Sequence, residues 1–141
     1  QNKPLLQQAA GRSLEVTLLA CMIKSEEALL NALGRMQELA TAFPTAELNQ
    51  LSERLLAEKP DLRLLMGELP AETASLLSRA LEQAENLIDP VSTALDCVNG
   101  LARAQLESRM ADLSAAYNGS PEAAAEIMEL QRRIGKLSRR A

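Results

Sequence analysis

Two helical segments separated by one short break occupy the last third of this chain. The first begins at Asp89 and Pro90, a pair typical of a helix start, and continues to Tyr117. Gly100 is its one unfavourable residue, at a cost of about 1 kcal/mol relative to Ala. A helix of about 28 residues is roughly 42 Å long, which is more than a small bundle needs. We therefore expect this helix to extend beyond the bundle.

The break itself predicts a helical hairpin. Asn118 and Gly119 suit a helix C-terminus, because glycine adopts the left-handed conformation without strain. Ser120 suits an N-cap, Pro121 suits the first helical turn, and Glu122 is favourable near the positive end of the helix dipole. A second helix is therefore expected to start immediately after the first has ended.

The final helix carries an apolar stripe that predicts packing against the long helix. Its apolar residues recur at alternating intervals of four and three, the spacing of a seam between two helices. The long helix carries a matching stripe at about 100° per residue. We predict that the seam of the hairpin consists of Leu106, Met110, Leu113, Tyr117, Ile127, Leu130, Ile134 and Leu137.

The earlier residues predict a bundle of short helices. Start signals at Ser13, Ser25, Thr45, Asp61 and Pro70 each precede a segment rich in Leu and Ala. With one Phe, one Tyr and no Trp, the core must be aliphatic, which favours helices over strands. We predict an all-α fold with a tether at residues 1–12, a helical bundle at 13–88, and a long helix with a C-terminal helical hairpin at 89–141.

Charge is distributed unevenly along the chain. Five of the 15 Lys and Arg residues lie in the last ten positions, so the other ten stand against all 19 Asp and Glu residues. This acidic excess argues against a nucleic-acid-binding surface over residues 1–131. The terminal cations suit either a helix C-terminus or an acidic partner.

Cysteine usage and hydropathy indicate the compartment. Cys21 and Cys97 lack the number and spacing of a disulfide framework or a zinc site, so we expect buried thiols in a reducing environment. No apolar run approaches the roughly 18 residues of a membrane span, and no signal-peptide pattern opens the chain. We expect a cytoplasmic protein without membrane contact. A start at Gln1 rather than Met indicates processing or a piece of a longer protein.

The residue types that catalysis needs are absent or unsupported. There is no His, the commonest general base, and no Gly-Lys-Ser or Gly-Lys-Thr that would hold phosphates. Acidic pairs such as Glu82 with Glu85 are expected on solvated helix faces, and no base activates Ser or Thr. We expect a non-catalytic chain that holds no cofactor and no metal.

The residues alone leave three classes of function open. The first is an interaction module from a larger enzyme, whose hairpin docks onto another protein. The second is a free-standing helical chaperone or adaptor for secretion or flagellar subunits, for which dimerisation would be expected. The third is a small all-helical enzyme, which would need inward-facing Arg residues around an anionic ligand.

Two segments resemble a known family. Residues 94–140, ALDCVNGLARAQLESRMADLSAAYNGSPEAAAEIMELQRRIGKLSRR, and residues 13–33, SLEVTLLACMIKSEEALLNAL, are similar to the C-terminal helicase-binding domain of bacterial DNA primase. Ser25 and Glu26 stand where that family has His-Pro. The resemblance covers most of the chain and rests on patterns of Leu, Ala and charge.

The resemblance implies a partner and a docking surface. In that family this domain binds the N-terminal region of the hexameric replicative helicase, brings primer synthesis to the replication fork, and has no catalytic residues of its own. Direct nucleic acid binding is not expected. By position, the exposed contacts of the final helix would be Met128, Gln131, Arg132, Gly135, Lys136 and Arg139.

Overall fold

The computed structural model describes the backbone of residues 3–138 and the side chains of residues 13–137. Over that range the fold is all-α, as predicted, with seven helices and no strand. The helices are α1 Lys3–Lys24, α2 Glu26–Glu38, α3 Ala46–Glu58, α4 Leu62–Met66, α5 Ala71–Ala84, α6 Pro90–Ala116 and α7 Pro121–Ser138.

Four of the predicted helix starts are capped by the expected side chains, and three of them lie before the final helix. Ser25, Asp61 and Asp89 each accept a hydrogen bond from a backbone N–H two or three residues further on, at 3.0 to 3.4 Å. These bonds satisfy amide groups that the first turn of a helix leaves without a partner. The short polar side chains of the sequence therefore fix where α2, α4 and α6 begin.

The start of the first helix differs from the prediction. We expected a tether at residues 1–12 and a cap at Ser13, but α1 begins at Lys3 and passes through Ser13 without a break. Pro4 is harmless in a first turn, where its missing N–H has no helical partner. One glycine, Gly11, costs only about 1 kcal/mol, so the Leu, Gln and Ala residues around it keep the helix continuous.

Helix α1 lies at the centre of the bundle and packs against α2, α3, α5 and α6. Its residues from Val16 to Cys21 are fully buried apart from Thr17. Leu48 and Leu51 of α3, Leu77 of α5 and Val98 of α6 complete a core that is almost entirely aliphatic. Burial of these side chains is the main stabilising contribution to the fold.

Both cysteines are free thiols in this core, as predicted. Burial raises the pKa of Cys21 to about 11 and that of Cys97 to about 12, because the thiolate would lose its hydration. The neutral thiols pack as small apolar groups and have little nucleophilic character at neutral pH.

Candidate functional site

The turn between α6 and α7 follows the chemistry of its residues. Tyr117 leaves the helix in an extended conformation, and Gly119 takes a φ of +87°, which favours glycine. The hydroxyl of Ser120 accepts a hydrogen bond from the backbone N–H of Ala123 at 3.0 Å, which caps the first turn of α7. The chain thereby reverses within a few residues, and α7 returns along α6.

Helix α7 is held mainly by one neighbour. Among the helices of residues 3–138, α6 is the only one with which α7 makes substantial contact. The buried positions of α6 end at Ala102, although the helix continues for roughly another 20 Å to Ala116. We call α7 together with α6 from Leu106 onwards the arm.

The residues predicted for the seam are buried or half-buried, with one exception. Leu130 is 2% exposed and is the one buried residue between positions 103 and 137. Tyr117 does not belong to the seam, because the extended backbone turns its ring outwards and leaves it 48% exposed. The half-buried members are Leu106, Met110, Leu113, Ile127, Ile134 and Leu137.

A salt bridge also joins the two helices. The Nε of Arg109 in α6 lies 3.2 Å from a carboxylate oxygen of Glu126 in α7. Both side chains are substantially exposed, so the pair contributes at most about 1 kcal/mol and is screened by salt. Its position marks the register in which α7 lies along α6.

The five predicted docking residues that the structure describes do not all line the same surface. Met128 is 69% exposed, Gln131 is exposed, and a Cβ built on Gly135 would meet no heavy atom within 4 Å. At 100° per residue these three positions lie on one flank of α7, which we call the outer flank. Arg139 lies outside the described residues.

The other two predicted residues, Arg132 and Lys136, border a groove. This groove of about 500 Å³ lies where α7 passes the end of α2, and α6 forms its base. Arg35 of α2, Leu39 directly after the end of α2, and Arg133 of α7 also line it. None of these three residues is among the docking residues predicted from the sequence. Arg133 lies in α7 beside Arg132, whereas Arg35 and Leu39 come near α7 only because α2 packs against α6.

Glu129 is the acidic centre of this basic groove. The Nε of Arg132 donates a hydrogen bond to Glu129 at 3.0 Å, and a second bond from the same guanidinium group makes the pair bidentate. These bonds lower the pKa of Glu129, and the charges of Arg133 and Lys136 lower it further. Glu129 therefore stays ionised, and it partly balances the cations around it.

The described residues form no metal site and no membrane-spanning helix. Over residues 13–137, no three Cys, Asp or Glu side chains come together where they would bind a metal ion. Every buried polar atom of the described side chains has a hydrogen-bond partner. None of the helices in the described part of the chain has the length and hydrophobicity that crossing a bilayer requires.

No family model, no curated protein and no solved structure matches this chain.

Proposed function

We propose that this chain is the non-catalytic helicase-docking domain of a bacterial replicative DNA primase. In this proposal the arm binds the N-terminal region of the hexameric replicative helicase, and the bundle of α1 to α5 carries the arm. The attachment couples primer synthesis to the replication fork. The catalytic groups of the primase would lie in other domains of the parent protein.

One observation carries the proposal: among the described helices, α6 is the only one with which α7 makes substantial contact, and Met128 of α7 is 69% exposed. A helix that is supported along one side has its remaining surface free for a partner. Residues 94–140, which resemble the helicase-binding domain, include nearly all of α6 and α7. The resemblance and the unpartnered surface therefore concern the same part of the molecule.

The outer flank has the chemistry of a helix that docks into an apolar groove. Met128 is flexible and polarizable, so it adapts to a partner pocket without an exact fit of shape. Gln131 next to it offers both a hydrogen-bond donor and an acceptor. Apolar anchors with polar surroundings are typical of helix recognition by proteins.

The test is a binding titration with the purified N-terminal region of a bacterial replicative helicase. Met128→Asp places a charge in the docking surface and should weaken binding by at least about tenfold. Ile88→Asp is the matched control: Ile88 is 97% exposed in the loop between α5 and α6, far along α6 from the arm, and its substitution should leave affinity unchanged. Equal effects of the two substitutions, or no binding by the unsubstituted chain, would overturn the proposal.

Sedimentation of the chain alone provides a second test. The proposal expects a chain whose arm is free to meet the helicase. A stable homodimer that is disrupted by Met128→Asp would instead support a free-standing chaperone or adaptor, because the outer flank would then be occupied by a second copy.

A further inference from the structure

The groove between α2, α6 and α7 has an apolar floor. Leu39 at the end of α2, Leu106 of α6 and Leu137 of α7 are all half-buried there, and Ala102 beneath them is 3% exposed. A floor of this kind gains stability when apolar side chains of a ligand displace water from it.

Basic side chains outnumber acidic side chains at the rim of the groove. Arg35 pairs with Glu38 at 3.8 Å, and Arg132 pairs with Glu129. Arg133 and Lys136 also line the groove. Among the described side chains, neither of them forms an ion pair within 4 Å. This excess contrasts with the acidic character of the chain as a whole. A ligand with negative charges would therefore be attracted to this rim.

We propose that this groove binds an acidic amphipathic helix of a partner protein, with the apolar face of that helix on the leucine floor and its carboxylates on Arg133 and Lys136. The floor requires apolar side chains, which a nucleic acid backbone does not supply. The groove also lacks aromatic side chains among its lining residues, and stacking on aromatic rings is the usual mode for single strands. A protein helix satisfies both the floor and the rim.

This surface is separate from the outer flank. Met128, Gln131 and Gly135 do not line the groove. Met128→Ala, which removes the apolar side chain without placing a negative charge one turn from Arg132, should therefore leave binding in the groove unchanged. The failure of either proposal can then be told from the failure of the other.

The test uses a fluorescent synthetic peptide of about 18 residues, five helical turns long, with Leu at helical spacing and Glu elsewhere. Saturable binding to the chain is expected. The double substitution Arg133→Glu with Lys136→Glu should weaken it by about tenfold or more, because it replaces attraction with repulsion. Circular dichroism of each variant verifies that these exposed positions leave the fold intact.

Two controls make the result specific. The first is a variant with Arg63→Glu and Arg79→Glu, which changes the net charge equally at exposed positions of α4 and α5 outside the groove and should bind the peptide normally. The second is a peptide with Ser in place of Leu, which should not bind. The proposal is overturned if the peptide fails to saturate, if both double variants lose affinity equally, or if the Ser peptide binds as well. It is also overturned if a labelled oligo-dT binds more tightly than the peptide and is released by the groove substitutions.

Discussion

The carboxylate of Glu15 in α1 caps the start of α3 through Thr45. Glu15 is 2% exposed and accepts hydrogen bonds from the backbone N–H of Thr45 at 2.8 Å and from its hydroxyl at 3.0 Å. The negative charge also lies near the positive end of the α3 dipole. This buried contact locks α3 onto the central helix, although the two residues are 30 positions apart.

Removal of the Glu15 carboxylate should destabilise the fold strongly. Glu15→Ala leaves the partly buried amide of Thr45 without its partner and opens a small cavity, so the free energy of unfolding should fall by about 2 to 3 kcal/mol. Glu15→Gln keeps the shape and one acceptor, and should cost about 1 kcal/mol. Urea denaturation followed by circular dichroism measures both. Equal losses would mean that the hydrogen bonds to Thr45 contribute little.

The contact between Glu15 and Thr45 shows what sequence patterns can and cannot provide. The predicted helix start at Thr45 is correct, since α3 begins at the next residue. The side chain of Thr45 makes no capping hydrogen bond to α3. The backbone N–H of Thr45 instead donates a hydrogen bond to Glu15 of α1. Local signals located the element, whereas the partner that stabilises it depends on tertiary packing. In α1, the same local signals wrongly predicted a helix start at Ser13. The helix continues through Gly11, because a glycine inside a helix costs only about 1 kcal/mol.

Two glycines inside helices should respond differently to alanine. A Cβ at Gly34 in α2 would meet nothing within 4 Å, so Gly34→Ala should raise the free energy of unfolding by up to about 1 kcal/mol. A Cβ at Gly100 in α6 would lie 3.1 Å from Cδ1 of Leu14, which must shift to make room. Gly100→Ala should therefore raise the free energy of unfolding by less than Gly34→Ala does, or should lower it. Thermal denaturation of both variants decides this, and equal gains would contradict the close packing of α1 against α6.

Two neighbouring positions of α7 should separate the stability of the arm from its surface. Leu130→Ala removes the one buried side chain of residues 103–137 and should cost about 2 to 4 kcal/mol in the stability of the arm, measured by hydrogen exchange of α7 amides. Met128→Ala, at an exposed position, should change it by less than about 0.5 kcal/mol. If the two variants behave alike, the division of α7 into a seam and an outer flank is wrong.

The buried thiols should make the fold sensitive to alkali. Their pKa values are raised in the folded state from an ordinary value of 9.0, so above pH 9 the unfolded state loses thiol protons that the folded state retains. The free energy of unfolding should then fall as the pH rises from 9 towards 11, by on the order of 1 kcal/mol per pH unit.

The matched control for this prediction is a variant with Cys21→Ala and Cys97→Ala, in which the thiol contribution to the slope disappears. An unchanged slope would show that other groups cause it. In the native protein at neutral pH, both thiols should also resist labelling until denaturant is added.

The candidate site was predictable in part. The heptad-like spacing of α7 and the turn residues 118–120 act locally, and they predicted the hairpin with its boundaries nearly correct. The groove was not predictable, because Arg35 and Leu39 reach α7 only after α2 has packed on α6. Periodicity also could not predict which of the docking candidates border the groove and which lie on the outer flank. That depends on where α2 lies relative to α7.

Hydrogen exchange of the intact chain, with and without the N-terminal region of a bacterial replicative helicase, tests most directly the claim that the arm is the docking element. We expect slower exchange in α7 and in α6 beyond Leu106 when the helicase region is added, with α3, α4 and α5 unchanged. Protection confined to the bundle, or no protection anywhere, would contradict the account.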